Sequence, residues 1–140
     1  MRKIKYKKGK KIQPYNLEYT GIHKNHESEM QLFVFDNFDL TEYEDFNIAD
    51  LDKCIDPQKT NWLNLHGLNN IGLIESIGRH FKIDHFMLAD ILNTNRRTKL
   101  EELPDTLFFN IKSLLPAGDS DNISVEQISF LIKDGILISF

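Results

Sequence analysis

The chain has 140 residues, 41% of them hydrophobic and 27% charged, with a formal net charge of −4. That length suits one domain able to bury a core without disulfides or a structural metal. The lone cysteine, Cys54, excludes an internal disulfide and a cysteine zinc cluster, and no run approaches the ~20 apolar residues of a membrane-spanning helix.

Charge is unevenly spread. Seven of the 17 basic residues fall in the first eleven positions (Arg2, Lys3, Lys5, Lys7, Lys8, Lys10 and Lys11), which leaves ten against 21 acidic residues, a balance of −11, for the remainder. Residues 1–16 read as a flexible basic arm ending near Pro14, and residues 17–140 as a single domain. Such an arm has the chemistry to meet nucleic acid or anionic lipid, but a solvated tail is the plainer reading. The acidic body repels nucleic acid and attracts cations. No apolar stretch follows the basic run, so it is not a signal peptide, and the chain reads as soluble.

Residues 30–35, with Leu32, Phe33, Val34 and Phe35, give the first strand signal. Residues 38–48 fit either a strand or a short helix plus strand, and residues 50–55 a helical turn. Residues 62–65 predict a short buried strand closed by His66-Gly67. Asn69 or Asn70 then offers an N-cap for a helix over 71–81, where Ile71, Ile74, Ile77 and Phe81 share a face and Gly78 is a weak point. Asp84 caps a second helix over 86–92. Residues 107–115 return to period two, with Leu107, Phe109 and Ile111 on one face and Phe108, Asn110 and Lys112 on the other, before a break at Pro116-Ala117-Gly118-Asp119.

Ile123 and Val125 share a phase opposite to that of Ile128, Phe130 and Ile132, which predicts a bulge near Glu126 or two short segments. Asp134-Gly135 predicts a type I′ hairpin turn into a last strand with Ile136, Ile138 and Phe140. Strands, two helices and an antiparallel meander make an α/β domain of mixed α+β character. The final hairpin reaches Phe140 in mid-strand, which predicts a longer polypeptide.

Enzyme signatures are absent: no GxGxxG, GxxxxGK, GxSxG or HExxH occurs, so the chain is not expected to be an enzyme. His23 and His26 have chelating spacing but lie in a polar stretch without helical periodicity. Asp36, Asp39, Glu42, Glu44 and Asp45 cluster without the spacing or glycine of a calcium loop, so a solvated acidic face is favoured. On a helix over 86–92, Met87 and Ile91 face the core, while Phe86, Asp90 and Asn93 share another side.

The residues from 62 onward resemble the CorA family of divalent-metal transporters. Trp62-Leu63-Asn64-Leu65-His66-Gly67-Leu68 is similar to its strand and turn, and Ile77-Gly78-Arg79-His80-Phe81-Lys82-Ile83 to the end of its first helix. Leu88-Ala89-Asp90-Ile91-Leu92-Asn93 resembles its L-E-D-I-L-N signature, and Arg97-Thr98-Lys99-Leu100-Glu101 its R-P-K segment. Glu126-Gln127-Ile128-Ser129-Phe130-Leu131-Ile132 and Ile136-Leu137-Ile138-Ser139-Phe140 resemble its closing strands, and Tyr19-Thr20-Gly21 an early Y-T-G. The motifs are specific through their order over some 80 residues.

The resemblance implies a cytoplasmic domain with helices packed on both sides of a mixed, largely antiparallel sheet. It implies neighbouring subunits of a homopentamer in the cell (inner) membrane, which transports Mg²⁺ and, in many members, Co²⁺ or Ni²⁺. The long helix and the G-M-N pore signature are not in this sequence, so contact with the membrane is expected only through a missing C-terminal segment. Asp90 matches the carboxylate that the resemblance implies would hold regulatory Mg²⁺, or Co²⁺, between subunits, its partner coming from the long helix. Ala89 in place of the family's Glu and Thr98 in place of its Pro are departures. The same domain in a zinc-transporting relative, or a stand-alone binding module, are the alternatives.

Overall fold

A computed structural model describes residues 16–22, 27–116 and 123–140. The basic arm (apart from Asn16), the His23/His26 pair and the break at 117–119 lie outside the described residues. Seven strands form one sheet: β1 Glu29–Phe35, β2 Leu40–Glu44, β3 Thr60–His66, β4 Lys99–Leu103, β5 Thr106–Pro116, β6 Ile123–Lys133 and β7 Ile136–Ser139. A single 3₁₀ turn, Ile48–Asp50, leads into α1 Leu51–Cys54; α2 is Ile71–His80 and α3 is His85–Leu92.

The spatial order is β2-β1-β3-β7-β6-β5-β4. Strand β3 pairs with β7 in parallel and every other pairing is antiparallel. The expected mixed, largely antiparallel sheet with helices is therefore observed. The α2–α3 crossover carries the chain from β3 to the far edge at β4, and β4 through β7 run back as a meander of hairpins until β7 pairs with β3.

Alternation decides the two faces. Met30, Leu32 and Val34 of β1, Leu63 and Leu65 of β3, Ile138 of β7, Leu131 of β6 and Phe108 of β5 point one way. They form one core cluster with Leu51, Ile74, Ile77, Met87, Leu88, Ile91 and Leu92 of the helices. The described helices thus pack on this inner face alone. The expectation of helices on both faces is met on one; the outer face carries Phe33, Trp62, Leu137, Phe130 and Phe109, none of which joins the core.

Local chemistry explains both helices. Asn70 Oδ1 accepts from the Leu73 amide at 3.0 Å and Asp84 Oδ1 from the Phe86 amide at 2.8 Å, each satisfying a free N–H of the first turn. The end of α2 closes as a Schellman motif: the Ile83 amide donates to Gly78 O at 2.8 Å, with Lys82 left-handed at φ 52°.

Gly78 is a packing device. A Cβ built there would stand 2.5 Å from Leu88 Cδ1, so α2 and α3 touch through a missing side chain. Gly78→Val is expected to cost about 1–3 kcal/mol by overpacking; an unchanged urea midpoint would show that the helices can move apart freely.

Two sequence expectations are corrected. Strand β6 is continuous and its pairing with β5 runs unbroken from Pro116↔Ile123 to Thr106↔Lys133, so there is no bulge near Glu126. The apolar phase changes because Ile123 and Val125, 64% and 58% exposed, lie where the β5–β6 hairpin runs past the core. No buried layer imposes a pattern there. The segment 38–48 resolves into β2 and the 3₁₀ turn. The 133–135 turn is as expected, with Asp134 and Gly135 at φ 52° and 77°.

Carboxylates tie the turns. The Phe38 and Asp39 amides, donating to Asp36, hold its pKa below the ordinary 3.8. Hydrogen bonds from Lys133 and then from the Thr106 hydroxyl do the same for Asp105. A carboxyl with a lowered folded pKa stabilises the fold above its unfolded value and loses that contribution as pH falls through the folded one. Stability should therefore fall below about pH 4. Asp36→Asn with Asp105→Asn should flatten that fall in urea midpoints taken between about pH 2 and 5.

Candidate functional site

Asp90 sits in the second turn of α3 and is only 8% exposed. Helical spacing places it away from Met87 and Ile91, yet that side of α3 is covered too. Arg96 Nε lies 2.7 Å from Oδ1, and Lys99 Nζ is ion-paired with Oδ2. Lys99 also pairs with Glu101 at 2.9 Å and lies 5.4 Å from the centroid of the Phe108 ring. Burial pulls the Lys99 ammonium towards deprotonation, but hydrogen bonds to Asp90 and Glu101 outweigh this and raise its pKa.

Residues 93–98 close over this pair. The Thr94 carbonyl accepts from Lys112 Nζ at 2.6 Å, and Lys112 reaches Gln127 Oε1 at 3.1 Å. Gln127 Nε2 donates to the Asp90 carbonyl at 3.3 Å. Thr20 joins from the N-terminal side: its amide donates to Leu92 O at 3.1 Å, and its Oγ1 accepts from the Thr94 amide at 3.1 Å. Three stretches quoted for the family resemblance, around Thr20, Asp90 and Gln127, therefore meet in space.

Sequence reasoning named Asp90 but missed its partners. Lys99 lay in a quoted motif with nothing to tie it to Asp90; the guanidinium that binds comes from Arg96, whereas the motif's Arg97 is exposed. Close by, Asn110 pairs in register with Lys99 and is 1% exposed; its side-chain amide has no hydrogen-bond partner among the described residues.

The acidic stretch does not converge. Lys59 Nζ pairs with Asp39 at 2.6 Å and Asp36 at 3.8 Å, while Glu42 and Glu44 both accept from Gln31 Nε2. Among the described residues no three His, Cys, Asp or Glu side chains come together as a metal-holding group. No helix among them is long and apolar enough to cross a membrane.

A seven-stranded mixed sheet, with a carboxylate locked between α3 and the following strand, defines the class of α+β domain to which known proteins can be compared. No protein-family model matches the chain. The sequence is 24% identical over 142 residues to the cobalt/magnesium transport protein CorA of Thermotoga maritima, an alignment covering 99% of this chain and 39% of that protein. The chain thus spans about two fifths of the length of that curated relative.

Three solved structures share the fold. The complete CorA magnesium transporter of Methanocaldococcus jannaschii matches with a TM-score of 0.56 and 12% identity, over 78% of this chain and 31% of that one. The soluble domain of CorA from the same organism matches at 0.54 and 12%, over 84% and 41%. The full-length CmaX protein matches at 0.62 and 15%, over 86% and 36%. The chain therefore has the architecture of a CorA soluble domain and is similar in sequence to a CorA protein along nearly its whole length. The resemblance drawn from the motifs stands.

Proposed function

We propose that this chain is the cytoplasmic, cation-sensing domain of a homopentameric CorA-type transporter of Mg²⁺ or Co²⁺. Similarity to a CorA protein across 99% of the chain carries the reading. In it, transport belongs to polypeptide outside these 140 residues and regulation to the Asp90 region.

Asp90 supplies the oxygen chemistry that a hard divalent cation takes. Both of its oxygens are engaged, so a cation reaches it only where a basic partner yields. Arg96, whose side chain is 53% exposed, is the partner able to leave, whereas Lys99 at 30% is held by Glu101 as well. Carboxylates from a neighbouring copy and water would complete the coordination. One carboxylate in competition with two cations implies millimolar affinity in the isolated chain.

Calorimetric titration with Mg²⁺ tests this. Binding in the millimolar range is expected, lost in Asp90→Asn and tightened several-fold in Arg96→Ala. Micromolar binding that survives Asp90→Asn would remove Asp90 from the site.

A further inference from the structure

Residues 16–22 belong to no helix or strand, yet they form a strap fastened at a definite place. Leu17 and Tyr19 pack against the core. A Cβ on Gly21 would stand 2.1 Å from Tyr19 Oη, so the missing side chain is what lets the ring fold back over the strap. Thr20, between these two residues, serves the end of α3. Its amide donates to Leu92 O at 3.1 Å, which satisfies a carbonyl that the last turn of the helix leaves free.

The Thr20 hydroxyl does something further. It donates to Asn93 Oδ1 at 3.3 Å and accepts from the Thr94 amide at 3.1 Å. Thr94 is thus gripped on both sides, at its amide by Thr20 and at its carbonyl by Lys112. The Arg96 amide donates to Asn93 O at 3.1 Å, so a displacement at Asn93 and Thr94 is passed on to Arg96, whose guanidinium holds Asp90. Residues 95–98 are exposed and lie between α3 and β4. Where Arg96 stands therefore depends on the grips at Asn93 and Thr94 as well as on its own ion pair.

We propose that Thr20 is a positioning residue for the cation site: its hydroxyl latches residues 93–98 so that Arg96 stays on Asp90, and a divalent cation that displaces Arg96 loosens the latch in return. The inference rests on the reading of Asp90 as a cation ligand. Both events act on one equilibrium between a closed and an open loop, so the coupling is reciprocal. Occupancy of Asp90 is thereby felt at the N-terminal strap, through a segment bonded to both.

Thr20→Val keeps the shape and the backbone bond but removes the hydroxyl, whereas Thr20→Ser keeps the hydroxyl. Amide hydrogen exchange read by NMR reports the latch, and calorimetric titration with Mg²⁺ reports the site. In Thr20→Val the Thr94 amide is expected to exchange several-fold faster, with the Leu88 amide inside α3 unchanged, and Mg²⁺ to bind several-fold tighter. Thr20→Ser should match the wild type in both. In an Arg96→Ala background Thr20→Val should tighten Mg²⁺ no further, whereas a merely structural role would add the same increment in both backgrounds. Mg²⁺ should also speed Thr94 exchange in the wild type and not in Asp90→Asn. The proposal is overturned if Thr94 exchange ignores either Thr20→Val or Mg²⁺, or if Thr20→Val changes Mg²⁺ affinity equally with and without Arg96. Failure of the Asp90 reading itself looks different: Mg²⁺ binding then survives Asp90→Asn while Thr94 exchange still responds to Thr20→Val, which overturns both.

Discussion

Phe108→Ala should destabilise the domain by about 3–5 kcal/mol, and Phe109→Ala, one residue along the same strand, by about 1 kcal/mol. Phe108 is fully buried against the helices, whereas Phe109 is half-buried on the outer face beside Phe130. Truncating Phe108 leaves a cavity that the surrounding Leu131 and helix residues cannot close; truncating Phe109 opens a surface that water already reaches. For a chain of this size the difference corresponds to roughly 10 °C in Tm, readable by thermal or urea unfolding. Equal losses would mean that the sheet faces are assigned wrongly.

The second large effect belongs to Asp90. Asp90→Ala is expected to cost about 2–3 kcal/mol, because it strands Lys99 in a partly buried site and releases residues 93–98 from α3. Arg96→Ala should cost less than about 1 kcal/mol, since an exposed guanidinium finds water as readily as a carboxylate. A double-mutant cycle between Asp90 and Lys99 isolates the pair, with a coupling of about 1–2 kcal/mol expected. A coupling near zero would reduce the contact to a surface pair. The cycle also bears on the proposed sensing role: the stronger the Asp90–Lys99 pair, the more a divalent cation bound there would depend on displacing Arg96.

These two residues show where sequence stops informing. In β5 the period-two pattern separates Phe108, Asn110 and Lys112 from Leu107, Phe109 and Ile111, and the second set is the more apolar. Composition therefore favours the wrong set as the core. The structure reverses this because Phe108 packs against the helices on the inner face, and Lys112 on the same face finds the Thr94 carbonyl and Gln127 as polar partners. Helix periodicity likewise set Asp90 apart from Met87 and Ile91, but could not show that β4 and β6 would enclose that side.

What the sequence determined by itself is local. The caps at Asn70 and Asp84, the helices they start, the Asp134-Gly135 turn and the strands around Leu32, Leu63 and Ile138 follow from side-chain chemistry within a few residues. Motif order also carried the likeness to CorA proteins without any coordinates. Tertiary structure alone decided which face of the sheet is core, that Gly78 exists to admit Leu88, and that Asp90 is shared between Arg96 and Lys99. Each of those depends on residues distant in sequence, or on a neighbouring element arriving within a few ångströms, and no local pattern encodes that approach.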